Sequence, residues 1–281
     1  MREPFRVRRP TAPSAALVYD SPHSGRFYPP DFEAKASRDE LRRGEDAYVD
    51  ELLDHAPSLG VVVLDAMYPR CYIDLNRAET DIDAALLSEP WPTALAPTEK
   101  SARGLGLLRR YVVPGVEVNA RLLSVSEVRD RIDRVYRPYH AALDRLIDET
   151  RIAHGRVWHV NWHSMKSVGN AMTPDGAVAR RVDFVVSDVD GRSAAREVTD
   201  CVVSALRDLG YRVGVNDPYE GGEIVKRIGA PETGVHSIQV EVNRALYLDE
   251  SRVEKSEGFG PLGLDLERVT RRLIAGVSAL G

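Results

Sequence analysis

The sequence predicts a single-domain α/β protein with one mostly parallel mixed sheet and helices on both sheet faces. Short apolar segments typical of buried strands alternate along the chain with segments of helical periodicity, a pattern that favours parallel sheets. The 281 residues are enough to bury a large core. The chain shows neither an internal repeat nor a low-complexity linker, which favours one domain over residues 1–281.

Seven short apolar segments are predicted to form the strands. Each has the length and composition of a buried strand. In chain order they are residues 15–20, 61–64, 71–75, 157–162, 183–186, 213–215 and 236–242.

Four helices are expected from apolar residues at helical spacing. They cover residues 46–60, 124–154, 194–209 and 264–279. The second begins at Ser124-Val125-Ser126-Glu127, which matches a capping box, and Pro138 is expected to kink it. Residues 80–114 are rich in proline, glycine and small residues, and loops of this length are often functional lids.

Composition and charge restrict the class of function. A net charge of −5 gives no electrostatic footprint for nucleic acid. Cys71 and Cys201 fit neither a disulfide framework nor a zinc-finger spacing, which favours reduced cysteines in the cytoplasm. No signal peptide or membrane-spanning run is recognised. We therefore expect a cytoplasmic protein with a small-molecule partner; the sequence indicates no oligomeric state.

Two histidines directly follow buried-looking segments, where α/β sheets collect their ligands. They are His23 in Ser-Pro-His-Ser-Gly and His163 in Asn-Trp-His-Ser-Met. Glu241 lies in a third apolar segment, where an unpaired carboxylate is costly. Two histidines and a well-placed glutamate are the side chains that a zinc hydrolase requires. The alternative for Glu241 is a buried salt bridge with Arg244 or Arg70.

An acidic segment between the two histidines offers an oxygen ligand for a metal. Asp46 is the preferred ligand, and Glu45 and Asp50 remain open alternatives. Asp46 and Asp50 are one helical turn apart and are expected to share a face. The alternative for Asp46 is a purely structural helix cap.

Arginines next to asparagines offer sites for a substrate carboxylate. Asn76 and Arg77 follow the predicted strand 71–75, and an amide beside a guanidinium fork suits a carboxylate. Asn243 and Arg244 repeat the pair and form a rival site.

Other roles remain open for the arginines near residue 74. Arg77 has the alternative of pairing with Asp74 or Glu79. Arg70 is a candidate for polarising a carbonyl or stabilising an oxyanion.

Several common enzyme motifs are absent from the sequence. Without Gly-x-Ser-x-Gly the α/β-hydrolase interpretation is weak, and without His-Glu-x-x-His the common helix-borne metalloprotease site is excluded. A P-loop and Gly-x-Gly-x-x-Gly are also missing, which disfavours a nucleotide site.

Six segments in one order, from about residue 20 to residue 250, resemble the N-formylglutamate amidohydrolases. They are Ser21-Pro22-His23-Ser24-Gly25, Glu45-Asp46-Ala47-Tyr48-Val49-Asp50, Tyr72-Ile73-Asp74-Leu75-Asn76-Arg77, Asn161-Trp162-His163-Ser164-Met165, Asn216-Asp217-Pro218-Tyr219-Glu220-Gly221-Gly222 and Gln239-Val240-Glu241-Val242-Asn243-Arg244. The resemblance implies hydrolysis of N-formyl-L-glutamate to formate and glutamate, at the end of histidine degradation.

The resemblance also implies a fold similar to zinc carboxypeptidases and aspartoacylases. In those relatives His-x-x-Glu supplies two zinc ligands from one turn. The residue three after His23 is Arg26, which cannot bind a metal, so Asp46 is expected to replace the missing glutamate.

The expected mechanism is metal-assisted amide hydrolysis. His23, Asp46 and His163 hold zinc, and the fourth position stays open to a water of lowered pKa. Glu241 takes the proton of that water and returns it to the leaving amine. Arg70 helps the zinc to stabilise the charge that develops on the formyl oxygen.

Arg77 is expected to bind one carboxylate of the glutamate moiety. Arg103, Arg109 and Lys100 are candidates for the other, and the spacing does not choose among them. Gly221 and Gly222 are expected to form a close-approach loop at the mouth of the site. The rival functions are a deacylase of another N-acyl amino acid or small amide, and a non-catalytic binding protein on the same fold.

Overall fold

The structure is a computed structural model that describes residues 2–176 and 180–279. Its strands, in chain order, are β1 (Phe5–Arg8), β2 (Leu17–Ser21), β3 (Val62–Ala66), β4 (Tyr111–Val113), β5 (Val116–Glu117), β6 (Val157–Met165), β7 (Phe184–Ser187), β8 (Val213–Val215), β9 (Val235–Asn243), β10 (Leu248–Asp249) and β11 (Glu254–Lys255). Its α-helices are α1 (Arg38–Arg42), α2 (Val49–Leu52), α3 (Glu99–Ala102), α4 (Val125–Arg131), α5 (Arg137–His154), α6 (Arg196–Arg207), α7 (Glu223–Ile228) and α8 (Phe259–Ala279).

One sheet of seven strands organises the chain, in the order β1-β3-β2-β6-β9-β7-β8. The four central strands β3, β2, β6 and β9 are parallel to one another. Strand β1 pairs antiparallel with β3 at one side, and β7 pairs antiparallel with β9 at the other, with β8 parallel to β7. The predicted α/β class with a mostly parallel mixed sheet is confirmed.

Helices cover both faces of the sheet, as predicted. Helices α2, α6 and α8 enclose one apolar core with sheet residues such as Tyr19 and Trp162. Helices α4, α5 and α7 enclose a second core with sheet residues such as Val18 and Leu64. The central strands are therefore buried on both sides, as is usual for parallel strands.

The predicted strand over residues 71–75 is wrong. These residues are buried, yet they form turns and loop rather than part of the sheet. The Tyr72 amide donates to Pro69 O at 2.9 Å, and the Asp74 amide donates to Leu107 O at 2.8 Å. An apolar run predicts burial, whereas its backbone here is satisfied by a turn and by the neighbouring loop.

The predicted helix over residues 46–60 is largely replaced by shorter elements. Tyr48 has a left-handed φ of 63°, so α2 begins only at Val49, and a 3-10 turn at Ala56–Leu59 follows it. Asp46 therefore precedes the helix and does not share a helical face with Asp50. The residue at the N-cap is Tyr48, without a side-chain cap, so the helix-cap explanation for Asp46 is wrong.

The long helix after Ser124 forms as expected, with an irregular middle. A π-helical turn, Ile132–Tyr136, joins α4 to α5, and Pro138 lies in the first turn of α5. Proline removes a helical amide donor and clashes with the preceding turn, and a widened turn accommodates both effects. In the described residues, none of the helices is both long and apolar enough to cross a bilayer.

The capping box at the start of α4 is confirmed and provides a test of local stability. Ser124 Oγ accepts from the Glu127 amide at 3.1 Å, and the Glu127 carboxylate accepts from the Ser124 amide at 2.8 Å. We expect Ser124→Ala to lower the free energy of unfolding by about 0.5–2 kcal/mol in chemical denaturation. Ser126→Ala, at an exposed position of the same turn, is the control. Equal stability losses in the two variants would contradict a capping role.

Candidate active site

Three pairs of polar residues line one face of the neighbouring strands β6 and β9. His159 is in register with Ser237, Asn161 with Gln239, and His163 with Glu241; we call these six residues the polar ladder. The alternate residues of β6, Trp158, Val160 and Trp162, enter the apolar core on the other face. The ladder brings His163 and Glu241 side by side near the carboxyl ends of two parallel strands.

His23, Asp46 and His163 converge at the end of the ladder. His23 follows β2 by two residues, whereas His163 lies inside β6, which continues further than predicted. Asp46 Oδ2 lies 2.9 Å from His163 Nδ1 and 3.3 Å from His23 Nδ1. One ligand atom from each residue lies within 4.8 Å of the others, and all three residues are buried. We call these residues the ligand cluster.

Outer hydrogen bonds turn the same nitrogen of each histidine toward Asp46. His23 Nε2 donates to Asp74 Oδ1 at 2.7 Å, and His163 Nε2 donates to Asn161 Oδ1 at 2.7 Å. Both oxygens are acceptors, so this assignment gives each ring its proton at Nε2 and leaves Nδ1 facing Asp46. His23 Nδ1 is buried without a hydrogen-bond partner.

This donor set fits a zinc ion. Two imidazole nitrogens and one carboxylate oxygen are typical zinc ligands, and catalytic sites use three protein ligands with an open fourth position. Zinc bonds of about 2.0–2.1 Å in tetrahedral geometry separate ligand atoms by about 3.3 Å, close to the separations from Asp46. A bound ion would also satisfy the unpartnered His23 Nδ1.

Asp46 is the acid that the structure brings to the histidines, rather than Glu45 or Asp50. The Glu45 carboxylate accepts from the Tyr28 hydroxyl, and Asp50 Oδ2 lies 3.2 Å from Arg26 Nη2. Burial opposes the charge of Asp46, but the neighbouring rings of His163 and His23 and the charge of Arg70 hold its pKa well below the usual range. Asp46 is therefore ionised at neutral pH.

Glu241 lies beside His163 with 8% of its surface exposed. Gln239 Nε2 donates to Glu241 Oε1 at 2.9 Å. Burial raises the pKa of the Glu241 carboxyl above its usual value. Among the described residues, neither Arg70 nor Arg244 forms an ion pair with it, so the buried salt bridge considered from the sequence is wrong.

Arg70 and Arg77 both reach the same cavity, with different partners. Arg70 donates through Nε and Nη2 to Asp74 Oδ2, and its Nη1 lies 3.7 Å from Asp46 Oδ1. Arg77 donates through Nε to Leu105 O and through Nη1 to Asn76 O. In the part of the chain described, Arg77 forms no ion pair, so the alternative pairing with Asp74 or Glu79 is wrong.

The Asn76 amide lies between the ligand cluster and the loop before α7. Its Nδ2 lies 3.0 Å from His163 Nε2, and its Oδ1 accepts from the Ile224 amide at 2.9 Å. A Cβ at Gly222 would lie 2.3 Å from Asn76 Nδ2, so this approach requires glycine. The expected close-approach loop is thus present at the wall of the site, formed by Gly221 and Gly222.

Arg244 is held by protein groups. Its three guanidinium nitrogens donate to Ser164 Oγ, to the carbonyls of Arg43 and Glu45, and to Asp46 Oδ1 at 3.2 Å. The Asn243 amide donates to Val182 O at 3.0 Å and accepts from the Ala245 amide. The second Asn-Arg pair therefore stabilises Asp46 and its surroundings. Because all three nitrogens of the Arg244 guanidinium already have protein partners, Arg244 is less available than Arg77 for the predicted role in substrate binding.

These residues lie at a cavity of about 460 Å³ with a strongly cationic lining. Of the described residues that line it, ten are lysine or arginine and three are glutamate. The long loop predicted as a lid forms one wall, through Lys100, Arg103 and Arg109. Such a cavity favours an anionic ligand.

Sequence reasoning missed several residues that organise this site. Asn161 and Gln239 belong to the polar ladder, and polar residues at every second position of two apolar strands were the available signal. Asp74, predicted only as a partner of Arg77, instead orients His23. Lys166 and Arg181 also line the cavity, and neither cation belongs to a motif that the sequence analysis recognised.

Comparison with known proteins identifies related chains of similar length. A crystal structure of an N-formylglutamate amidohydrolase from Ralstonia eutropha JMP134 is 40% identical, with both chains covered completely and a TM-score of 0.93. An N-formylglutamate deformylase from Pseudomonas putida is 26% identical, over 73% of this chain and 71% of the relative. Another, from Pseudomonas aeruginosa, is 28% identical, over 83% and 82%. The family described as N-formylglutamate amidohydrolase matches residues 15–248, and the chain belongs to that family.

Proposed function

We propose that this protein is a zinc-dependent amidohydrolase that converts N-formyl-L-glutamate to formate and L-glutamate. One observation carries the proposal: in a chain of this family, a His-Asp-His ligand cluster lies beside a buried glutamate at a cationic cavity. The related proteins from the two Pseudomonas species bear the name N-formylglutamate deformylase. The cationic lining suits a substrate with two carboxylates.

The ligand cluster is the proposed zinc site, through Nδ1 of His23, Nδ1 of His163 and Oδ2 of Asp46. Zinc bound there would supply Lewis acidity, which polarises the formyl carbonyl and lowers the pKa of a water. Asp74 and Asn161 keep the two rings oriented for the ion.

Glu241 is the proposed general base and acid. It takes the proton of the attacking water and then delivers it to the nitrogen of the leaving glutamate. Burial raises the pKa of this carboxyl, which makes it a stronger proton acceptor than an exposed glutamate. The hydrogen bond from Gln239 fixes the rotation of the carboxyl group.

The arginines divide into a polarising and a binding role. Arg70 stays charged, because Asp74 and Asp46 raise its pKa, and it adds positive potential where the formyl oxygen becomes negative. Arg77 has Nη2 without a partner among the described residues, so it can bind a substrate carboxylate.

Two other functions were considered from the sequence. Deacylation of a different N-acyl amino acid uses the same machinery, and it is the second candidate because the cavity walls rather than the ligand cluster select the acyl group. A non-catalytic binding protein is disfavoured, because a buried glutamate without an ion pair is costly and binding alone does not need it.

The metabolic role and the location stay predictions. The resemblance implies a step at the end of histidine degradation, which produces the proposed substrate. The reduced cysteines expected from the sequence favour the cytoplasm.

Release of the free amino acid, a product common to the formyl and acetyl compounds, tests the proposed activity. Among N-formyl-L-glutamate, N-acetyl-L-glutamate and N-formyl-L-leucine, we expect the highest kcat/KM for N-formyl-L-glutamate, because it alone combines a formyl group with two carboxylates. A higher kcat/KM for the acetyl compound would favour the second candidate. Turnover of none of the three by the zinc-loaded protein would favour the binding protein.

The choice of Asp46 as acidic ligand has a matched control. Asp46→Asn removes a charged ligand at constant volume, so we expect weaker zinc binding in competition with a chromophoric chelator. Asp50→Asn makes the same change four residues away, where the carboxylate faces Arg26, and should retain zinc affinity. Loss of zinc from Asp50→Asn with retention in Asp46→Asn would reverse the assignment.

Glu241→Gln separates catalysis from binding. It preserves shape but removes the proton acceptor, so kcat should fall by roughly 10²–10⁴-fold while zinc content stays unchanged. Glu220→Gln neutralises another glutamate of the cavity lining and should keep kcat within a few-fold of the unmodified protein. An unchanged kcat in Glu241→Gln would exclude Glu241 as the general base.

A further inference from the structure

The cations that line the cavity fall into two classes by their partners. Five form ion pairs with protein carboxylates: Arg70, Arg103, Arg109, Arg181 and Arg244. Five form no ion pair with any described residue: Arg43, Arg77, Lys100, Lys166 and Lys226. The second class retains unneutralised charge that a bound anion can compensate.

This division removes two candidates for the second carboxylate of the substrate. Arg109 is buried, and its Nε lies 3.4 Å from Asp74 Oδ2. Arg103 directly follows α3, and its Nη2 lies 3.6 Å from Glu99 Oε2. Lys100 remains unpaired, but it lies near Arg77 and therefore belongs to the carboxylate site already proposed there.

The unpaired cations form two separate groups. Arg77, Lys100 and Lys226 form the Arg77 group, in which repulsion from Arg77, followed by burial, lowers the pKa of Lys100 to about 8. Lys166 and Arg43 form the Lys166 group; burial, followed by the charge of Arg244, lowers the pKa of Lys166 to about 8. The charged groups with the largest effects on the pKa of Lys166 are Arg244, Glu250, Arg109 and Arg43, none of which belongs to the Arg77 group.

The two groups also come from different elements. Lys166 directly follows β6, three residues after His163, and Arg43 directly follows α1. Lys100 belongs to α3 and Lys226 to α7. Two unneutralised groups at one cavity match a ligand with two separate negative charges.

We propose that the Lys166 group is a second carboxylate subsite, so that Arg77 and Lys166 bind different carboxylates of an N-acyl dicarboxylic amino acid. This inference rests on the proposed function and names its specificity determinant. A ligand with one carboxylate leaves one group without an anion and loses a charge-assisted contact.

The test compares three formyl compounds with the zinc-loaded protein. N-formyl-L-glutamate has both carboxylates, N-formyl-L-glutamine replaces the side-chain carboxylate by a neutral amide, and 4-formamidobutyrate lacks the α-carboxylate. The variants are Lys166→Met and Arg77→Met, which remove the charge and keep an unbranched side chain. Lys35→Met, at an exposed lysine that pairs with Glu117, is the control.

We expect the unmodified protein to favour N-formyl-L-glutamate over each analogue by about 10–150-fold in kcat/KM, the range for a hydrogen bond to a charged group. Lys166→Met should lose most of the preference over one analogue and retain it over the other. Arg77→Met should show the opposite pattern, and Lys35→Met should keep both preferences. Full retention of both preferences in Lys166→Met overturns the inference, as does loss of the same preference in both variants.

A binding measurement separates this inference from the proposed activity. Calorimetry with L-glutamate, L-glutamine and 4-aminobutyrate applies the same charge comparison without turnover. If the unmodified protein releases no formate, the proposed function fails. The two subsites would still be supported if Lys166→Met and Arg77→Met lost preference for different carboxylates in the binding measurement. Two results would refute the two subsites: loss of affinity for the same ligands in both variants, or unchanged ligand preferences in Lys166→Met.

Discussion

The buried carboxylate of Asp46 is the constraint on which the site depends. An isolated buried charge is very costly, so its surroundings must compensate it. Both histidine rings turn Nδ1 toward one of its oxygens, while Arg70 and Arg244 approach the other. The loop after β2, the end of β6 and the segment after β9 must therefore meet at one point. The parallel order of the central strands provides this meeting point, because their carboxyl ends lie at one edge of the sheet.

The polar ladder links the orientation of His163 to residues deeper in the sheet. His163 depends on the Asn161 amide, whose Nδ2 donates to Asp20 Oδ1 at 2.7 Å. Asp20 also accepts from Tyr139 at 2.8 Å and from His159 at 2.9 Å, so its buried carboxylate has three donors. Because a carboxylate only accepts, Asp20 directs the Asn161 nitrogen toward itself and the Asn161 oxygen toward His163. The orientation of a ligand is thus fixed by a residue that does not touch it.

The sequence predicted the fold and the ligand cluster more completely than it predicted the residues around the cluster. Apolar segments identified the central strands. The positions of His23 and His163 after such segments, together with the order of the motifs, predicted that these histidines and Asp46 form one site. The run at 71–75 misled because burial and strand pairing produce the same apolar pattern, and only the backbone partners of Asp74 distinguish them. Lys166 could not be assigned, because its significance depends on which neighbouring cations lack protein carboxylates. That is a property of distances between segments far apart in the chain.

The two histidines are oriented by different kinds of acceptor, and this affects the charge left for the substrate. His23 uses the Asp74 carboxylate directly, whereas His163 uses a neutral amide. Asp74 adds a negative charge, but Arg70 and Arg109 both approach its Oδ2, and Arg244 approaches Asp46. Three guanidinium groups therefore face two carboxylates around the ligand cluster. Because these guanidinium groups neutralise the carboxylates that orient the cluster, the unpaired cations of the cavity are free to determine which anion binds.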